Sequence, residues 1–204
     1  LAPLFHHAIF ADIEKPLAVL NIGGVANVTW IGEGGDFENP NLIAFDTGPG
    51  NALIDDWVRK TIGCSMDEGG RLAHSGTVQE GILDGLLENP FFSRNPPKSL
   101  DRDDFASAIQ AVSKLSVEDG AATLSALSVH SIGKAQSFFP EKIKRWLVTG
   151  GGRHNATLMA MLNNLVCGRF EPVEVLNFNG DALEAQAFAY LSIRSFYGLP
   201  LSFP

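Results

Sequence analysis

The feature that most constrains the fold of this 204-residue chain is a set of three glycine-rich turns, each placed directly after a predicted strand. In open α/β sheets, ligands bind at the carboxyl ends of strands, where glycine lets backbone N–H groups approach a phosphate or a nucleoside. One such turn is weak evidence, but three together favour a nucleotide site. Neither a P-loop nor a strand-to-helix G-x-G-x-x-G motif is present, so the site must be of another type. The turns are Gly23-Gly24, Gly48-Pro49-Gly50 and Gly150-Gly151-Gly152.

The first part of the chain predicts three strands followed by a helix. Apolar and β-branched residues flank the first glycine pair, which is typical of a hairpin of strands Leu17–Ile22 and Ala26–Ile31. A third strand, Leu42–Phe45, leads to the second glycine-rich turn. The helix Asn51–Ile62 follows, with its apolar residues on one face.

The rest of the chain predicts a helical insert at residues 64–140 and then the order β-α-β-α. Thr77 and Glu80 have the spacing of a capping box, and Ser116 and Asn155 are predicted N-caps. Without an internal repeat or a linker, the pattern indicates one α/β domain with a mixed sheet. The predicted elements are a helix from Thr77 to about Glu88, helices Asp101–Leu115 and Val117–Phe138, strand Trp146–Val148, a helix to Leu165, strand Val173–Phe178 and helix Asp181–Phe196.

Charge and composition exclude several classes of partner. The 23 acidic residues outnumber the 15 lysines and arginines, and the net charge of -8 repels nucleic acid and anionic membranes. No apolar run approaches the roughly 20 residues that span a bilayer. Cys64 and Cys167 lie far apart without nearby metal ligands, which favours a reducing compartment, the cytoplasm. The start, Leu1-Ala2-Pro3-Leu4, lacks signal-peptide features and is interpreted as a cut end.

Two longer motifs carry a family resemblance. The first is Leu20-Asn21-Ile22-Gly23-Gly24-Val25-Ala26-Asn27, and the second is Phe45-Asp46-Thr47-Gly48-Pro49-Gly50-Asn51. With Thr149-Gly150-Gly151-Gly152, they resemble the second half of the actin, hexokinase and Hsp70-type ATPases, and more closely the anhydro-N-acetylmuramic acid kinase family. The resemblance implies a ribonuclease H-like mixed sheet that forms one lobe of that ATPase fold.

The family resemblance also implies an activity. This is ATP-dependent, Mg²⁺-assisted phosphorylation of 1,6-anhydro-N-acetylmuramic acid, with hydrolytic opening of the anhydro ring to give the 6-phosphate in cell-wall recycling. The family's first phosphate loop and its aspartate base are missing, so the chain resembles a C-terminal lobe, expected to be inactive alone. Its own N-terminal lobe, a small amino sugar and a second copy in a homodimer are the implied partners. The alternatives are a kinase for another small sugar or carboxylate and a non-catalytic nucleotide-binding module.

The resemblance assigns most candidate residues to the nucleotide. The hairpin turn, Asn21 with Gly23 and Gly24, is expected to present backbone donors to the β- and γ-phosphates. Its plain alternative is an ordinary hairpin turn. The second set, Thr149, Gly150, Gly151, Gly152 and Asn155, is expected to face adenosine, although Asn155 is also suited to capping its helix.

A second group of candidates is assigned to the sugar or a metal. Asp46, with Thr47 and Gly48, is expected to hold Mg²⁺ through water or to accept a sugar hydroxyl, and the plain alternative is a carboxylate that caps the following helix. Glu184 is expected near the sugar, or in a capping box with Asp181. No catalytic residue is assigned within the chain.

The remaining polar residues give weaker signals. Lys98, Arg102 and Arg153 could meet a carboxylate or phosphates, but loop cations are more often simply solvated. His6 and His7, taken as neighbours in a strand, would point in opposite directions and lack partners for a metal.

Overall fold

A computed structural model describes residues 2–35 and 40–202, without the side chain of Arg102. Within these residues, no helix is both long and apolar enough to cross a membrane. The strands are β1 (Leu17–Ile22), β2 (Val25–Gly35), β3 (Pro40–Pro49), β4 (Arg145–Thr149) and β5 (Arg169–Pro172). The α-helices are α1 (Ala2–Ile9), α2 (Ala52–Ile62), α3 (Arg71–Ser75), α4 (Glu80–Leu87), α5 (Ser107–Ala111), α6 (Val117–Ala135), α7 (Ala156–Leu165) and α8 (Leu183–Phe196).

The five strands form one mixed sheet in the order β3-β2-β1-β4-β5. Strand β2 is antiparallel to both β1 and β3, whereas β4 is parallel to β1 and β5 is parallel to β4. The predicted mixed α/β sheet with three leading antiparallel neighbours is therefore confirmed. Because β1, β3 and β4 run in the same direction, their carboxyl ends meet at one edge of the sheet.

The larger core fills the sheet face that carries α2, α6 and α7. Side chains of alternate strand residues, such as Ala18, Leu20 and Ile22 of β1, point into it. All three tryptophans of the chain lie in this layer and are almost fully buried. Helix α6 packs against β3 and α2, so the predicted helical insert contributes a central helix of this core. The tryptophans are Trp30, Trp57 and Trp146.

The smaller core lies on the opposite face, under α1 and α8. Strand residues Val19 and Leu147 contact this layer, together with Phe5 from α1, Phe10 directly after α1 and Ala187 from α8. Residues 2–9 form a helix, so the interpretation of the two histidines as neighbours in a strand is wrong.

The fifth strand lies four residues before its predicted position. The predicted strand Val173–Phe178 is wrong, because β5 is Arg169–Pro172 and residues 173–176 form a 3-10 turn. Phe170 stacks on Trp146 of β4 with ring centroids 4.8 Å apart, which sets the pairing of these strands. Pro172 has no N–H to extend the ladder, and the strand ends there.

The predicted N-caps differ in outcome. Ser116 and Asn155 cap α6 and α7 through hydrogen bonds from Asp119 and Leu158, as predicted. The capping box at Thr77 is wrong, because Thr77 donates its N–H to Asp119 Oδ1 at 2.8 Å and α4 begins only at Glu80. The predicted helix Asp101–Leu115 is divided into a 3-10 turn, Arg102–Phe105, and the short α5.

Candidate functional site

The three glycine-rich turns come together at the sheet edge where β1, β3 and β4 end. The N–H of Gly50 donates to the carbonyl oxygen of Gly24 at 2.9 Å, which joins the first two turns. The third turn packs against the end of β1, since a Cβ added at Gly152 would lie 2.4 Å from Cγ2 of Ile22. The predicted convergence of the turns is confirmed.

Contacts within the protein explain some of these glycines and not others. Gly150 has φ +75°, and a Cβ there would lie 2.4 Å from Oδ1 of Asn21. A Cβ at Gly151 would come no closer than 3.9 Å, to Nδ2 of Asn51. Gly151 is also exposed. Internal packing therefore requires glycine at position 150, whereas the missing side chain at Gly151 leaves space open for a ligand.

Four polar side chains lie side by side across the sheet just before the turns. Asn21 pairs with Asn27 of β2 and with Thr149 of β4, and Asn27 pairs in turn with Asp46 of β3. Cross-strand partners share a face, and this row lies on the face of α1 and α8. The row therefore offers amide, hydroxyl and carboxylate groups at the carboxyl ends of the strands.

A cleft of about 370 Å³ adjoins this row and is bounded by α1 and α8. The cleft brings together five predicted site residues, namely Asn21, Thr149, Gly150, Gly151 and Glu184. It also contains polar residues that the sequence did not assign to a site, namely His6, Asn27 and Asp181. Asn27 could have been found, because the hairpin register places it opposite Asn21.

The adenosine candidates outside the cleft support the loop that bounds it. Gly152 is buried against Ile22, and Asn155 is buried with its Oδ1 accepting a hydrogen bond from the N–H of Leu158 at 3.0 Å. A Cβ added at Gly70 would lie 2.1 Å from the same oxygen. In this structure, Asn155 serves as the cap of α7.

The candidates around Asp46 differ in accessibility. Thr47 is buried, and its hydroxyl donates to the carbonyl oxygen of Ala26 at 3.1 Å. Gly48 is also buried, and a Cβ there would lie 2.6 Å from the side chain of Ser131 on α6. Asp46 itself is half-buried. Thr47 and Gly48 thus hold the end of β3 in place, and Asp46 is the accessible member of the three.

Asp46 has a distinct electrostatic environment. Burial raises the pKa of its carboxyl group, and the hydrogen bond from Leu100 opposes part of that rise. Its Oδ2 accepts the N–H of Leu100 at 2.8 Å. Its Oδ1 accepts no hydrogen bond from the part of the chain that the structure describes and can serve a ligand.

Arg153 is a structural tie within the site rather than a solvated loop cation. Its side chain is 2% exposed, and Nε and Nη2 contact Glu174 at 2.8 Å and Asp181 at 2.7 Å. Nη1 donates to the carbonyl oxygen of Gly150 at 2.9 Å. The guanidinium group therefore connects the third glycine-rich turn to the segment that leads into α8.

Glu184 lies in the first turn of α8 and is exposed at the cleft. The capping box with Asp181 is wrong, because α8 begins at Leu183 and Asp181 binds Arg153 instead. That hydrogen bond and the charge of Arg153 lower the pKa of Asp181. Glu184 is left available to a ligand in the cleft.

His6 forms a buried part of the cleft wall. Its Nδ1 lies 3.0 Å from the hydroxyl oxygen of Thr29 on β2, at hydrogen-bond distance. Burial lowers the pKa of His6 from 6.5 to about 4, so the imidazole is neutral at pH 7. Within the described residues, no cluster of three or more histidine, cysteine or acidic side chains could hold a metal ion.

Solved structures similar to this chain support the fold. The activator of 2-hydroxyisocaproyl-CoA dehydratase from Clostridium difficile, with bound ADPNP, aligns with a TM-score of 0.52 over 95% of this chain and 69% of its own, at 15% identity. Component A of Acidaminococcus fermentans (R)-2-hydroxyglutaryl-CoA dehydratase aligns with a TM-score of 0.50 over 86% and 62%, at 16% identity. At these identities, the likeness concerns the fold alone.

Sequence comparison identifies closer relatives. The anhydro-N-acetylmuramic acid kinases of Zymomonas mobilis and Rhodospirillum rubrum are 48% and 50% identical to this chain over 204 residues. Each match covers 100% of this chain but only 54% and 53% of the relative, so the chain spans about half their length. The family model described as anhydro-N-acetylmuramic acid kinase matches residues 1–204. The chain therefore belongs to the anhydro-N-acetylmuramic acid kinase family.

Proposed function

We propose that this chain is the nucleotide-binding part of a kinase that phosphorylates 1,6-anhydro-N-acetylmuramic acid with ATP, opening the anhydro ring to give N-acetylmuramic acid 6-phosphate. The observation that carries this proposal is the convergence of three glycine-rich turns on the row of polar side chains. Strand order and family membership favour a ribonuclease H-like lobe that works with an N-terminal lobe. Such a kinase would act in the cytoplasm, where ATP is available.

The hairpin turn is proposed to bind the β- and γ-phosphates. Gly24 is exposed, and a Cβ there would come no closer than 3.4 Å, to Ala52. Its backbone can therefore approach an anion, and backbone N–H groups stabilise phosphates without a cationic side chain. The side chain of Asn21, in the cleft beside this turn, supplies a further polar group.

The third turn is proposed to face adenosine. Gly151 leaves open space at the cleft, and Thr149 lies beside it at the end of β4. Arg153 holds this turn through the carbonyl oxygen of Gly150. A turn fixed in this way loses little conformational freedom when the nucleoside binds.

Asp46 suits a magnesium ion that is shared with the phosphates. Mg²⁺ is usually held by one or two carboxylates together with phosphate oxygens and water, so one accessible carboxylate oxygen fits this mode. A bound Mg²⁺ would neutralise charge on the transferred phosphoryl group. Leu100 fixes the orientation of the carboxylate through Oδ2 and leaves Oδ1 for the ion or a sugar hydroxyl.

The sugar is proposed to lie between Asp46 and Glu184. The two carboxylates come from β3 and from the first turn of α8, on the same side of the sheet. Hydroxyl and amide groups of an amino sugar can donate to both carboxylates. The base that activates water for ring opening is assigned to the N-terminal lobe, so turnover requires both halves.

Two separate titrations by calorimetry test this proposal. The parent chain should bind Mg²⁺-ATP, and Asn21→Ala should weaken that binding about tenfold, the effect of losing one charge-assisted hydrogen bond. The control is Asn164→Ala at an exposed position on α7. A parent chain that binds neither ATP nor the anhydro sugar would contradict the proposal. A chain that binds ATP, but binds other sugars as tightly as the anhydro sugar, would favour another substrate.

A further inference from the structure

Lys98 is a buried lysine enclosed by aromatic rings. The residue comes five positions after the 3-10 turn Pro90–Ser93 and is 7% exposed. The ammonium nitrogen lies 4.4 Å from the ring centroid of Phe138, 4.7 Å from that of Phe91 and 5.5 Å from that of Phe45. Within the described residues, no carboxylate reaches it at salt-bridge distance. A cation so placed is held by the ring faces.

Backbone oxygens complete the enclosure of the ammonium group. Nζ donates to the carbonyl oxygen of Phe91 at 3.1 Å and to that of Phe92 at 3.4 Å. Both residues belong to the 3-10 turn Pro90–Ser93, whose Phe91 and Phe92 side chains are buried. The side chain of Lys98 therefore anchors its own loop to a rigid part of the core.

The same loop holds Asp46 from two sides. The carbonyl oxygen of Lys98 accepts the N–H of Asp46 at 3.1 Å. Two residues later, the N–H of Leu100 donates to Oδ2 of Asp46 at 2.8 Å. Residues 98–100 thus run along the outer edge of β3, and their position determines which way the carboxylate of Asp46 points.

We propose that Lys98 is a positioning residue for Asp46. The enclosed ammonium group fixes residues 98–100 against β3, and Leu100 then holds Oδ2 and leaves Oδ1 for a ligand. The functional consequence rests on the proposed role of Asp46 toward Mg²⁺ or the sugar. The mechanical part, the fixing of the loop, does not depend on that role.

Amide hydrogen exchange tests the mechanical part. Lys98→Met keeps the apolar stem and removes the charge and donors, so the Leu100 amide should exchange about tenfold faster or more, while the β1 amides change little. Lys114→Met, at an exposed position, is the control and should leave both unchanged. Phe138→Leu opens one side of the enclosure and should accelerate exchange of the Leu100 amide to a smaller extent. If Lys98→Met does not fold, this second variant is measured in its place. If the exchange rate of the Leu100 amide changes only as much as the rates of the β1 amides in these variants, the proposal is wrong.

Kinetics of the chain extended to the length of its relatives test the functional part. Asp46→Asn and Lys98→Met should both raise the same kinetic constant. This constant is either the KM for the sugar or the Mg²⁺ concentration that gives half-maximal rate, and Lys98→Met should raise it about tenfold. The double variant should be no worse than Asp46→Asn alone, because coupled residues are not additive. Additive losses confined to kcat would show that Lys98 has a merely structural role. An Asp46→Asn variant whose kinetic constants equal those of the parent would refute the role of Asp46. The exchange experiment would still decide whether Lys98 fixes the loop.

Discussion

Asn27 and Asp46 lie opposite each other in the β2–β3 ladder, although the neighbouring pair is Ala26 with Gly48. Thr47 is therefore an extra residue, and the ladder contains a β-bulge at this point. A regular register would pair Asn27 with Thr47 and turn the side chain of Asp46 to the opposite face. The bulge thus places Asp46 on the cleft side of the sheet.

Gly151→Val tests the assignment of the third turn. The valine side chain would fill the open space where adenosine is proposed to bind, so ATP should stabilise the variant less than the parent. The unfolding temperature without ligand should change little, because the nearest atom to the new Cβ lies 3.9 Å away. Thermal shift with and without ATP measures both quantities.

Gly150→Val is the matched control for that variant. Its φ of +75° and its contact with Asn21 make a side chain unfavourable, so this change should lower the unfolding temperature even without ATP. If ATP stabilises Gly151→Val as much as the parent, adenosine binds elsewhere.

The buried imidazole of His6 should make the fold sensitive to mild acid. Its pKa is lowered to about 4, so between this value and 6.5 the unfolded chain binds a proton that the folded chain does not. Its contribution to stability is present above pH 6.5 and is lost as the pH falls. Between pH 7 and pH 5, the loss should be about 2 kcal/mol.

Urea unfolding of His6→Gln at the two pH values measures this contribution. The variant should lose about 2 kcal/mol less than the parent between pH 7 and pH 5. His74→Gln, at an exposed position, should behave as the parent does. A parent and His6→Gln with the same pH dependence would mean that His6 is protonated in the folded chain.

Arg153→Met should destabilise the fold through the third turn. The variant loses three hydrogen bonds from a buried guanidinium group, but Glu174 and Asp181 remain open to water, so we expect a loss of about 2 kcal/mol in the free energy of unfolding. Arg169→Met removes an exposed guanidinium group from Glu171, which keeps its ion pair with Arg145, and should cost about 0.5 kcal/mol or less. Equal losses in urea unfolding would contradict the role of Arg153 as a tie.

Catalysis should require the part of the relatives that this chain does not match. Phosphoryl transfer depends on positioning and charge stabilisation, and ring opening also needs a base for the attacking water. The 204-residue chain should therefore show no ADP release above background with ATP, Mg²⁺ and the anhydro sugar, whereas the chain extended to the length of its relatives should be active. Clear turnover by the short chain would place the base within these residues.

Local patterns were sufficient to predict the parts of the fold that local forces determine. The hairpin around Gly23 and Gly24 follows from turn chemistry, and the caps Ser116 and Asn155 follow from side-chain hydrogen bonds to neighbouring residues. The polar candidates Asn21 and Thr149 adjoin each other because strand ends carry them. The nucleotide-binding roles of these residues stay predictions.

The features that the sequence did not predict depend on contacts between distant residues. Strand β5 begins where Phe170 can stack on Trp146, and no local signal marks that register. The enclosure of Lys98 needs rings from three separate segments, and the burial of Arg153 needs Glu174 and Asp181 beyond the next strand. Tertiary packing, rather than local sequence preference, therefore determines the position of β5 and the burial of these two cations.

The position of the tryptophans determines what the intrinsic fluorescence of this protein can report. Trp30, Trp57 and Trp146 lie in the core beneath α2, α6 and α7, on the face of the sheet opposite the cleft. Their emission should change strongly when the chain unfolds and hardly at all when a ligand enters the cleft. A fluorescent nucleotide analogue, rather than tryptophan emission, is thus the suitable optical probe for binding.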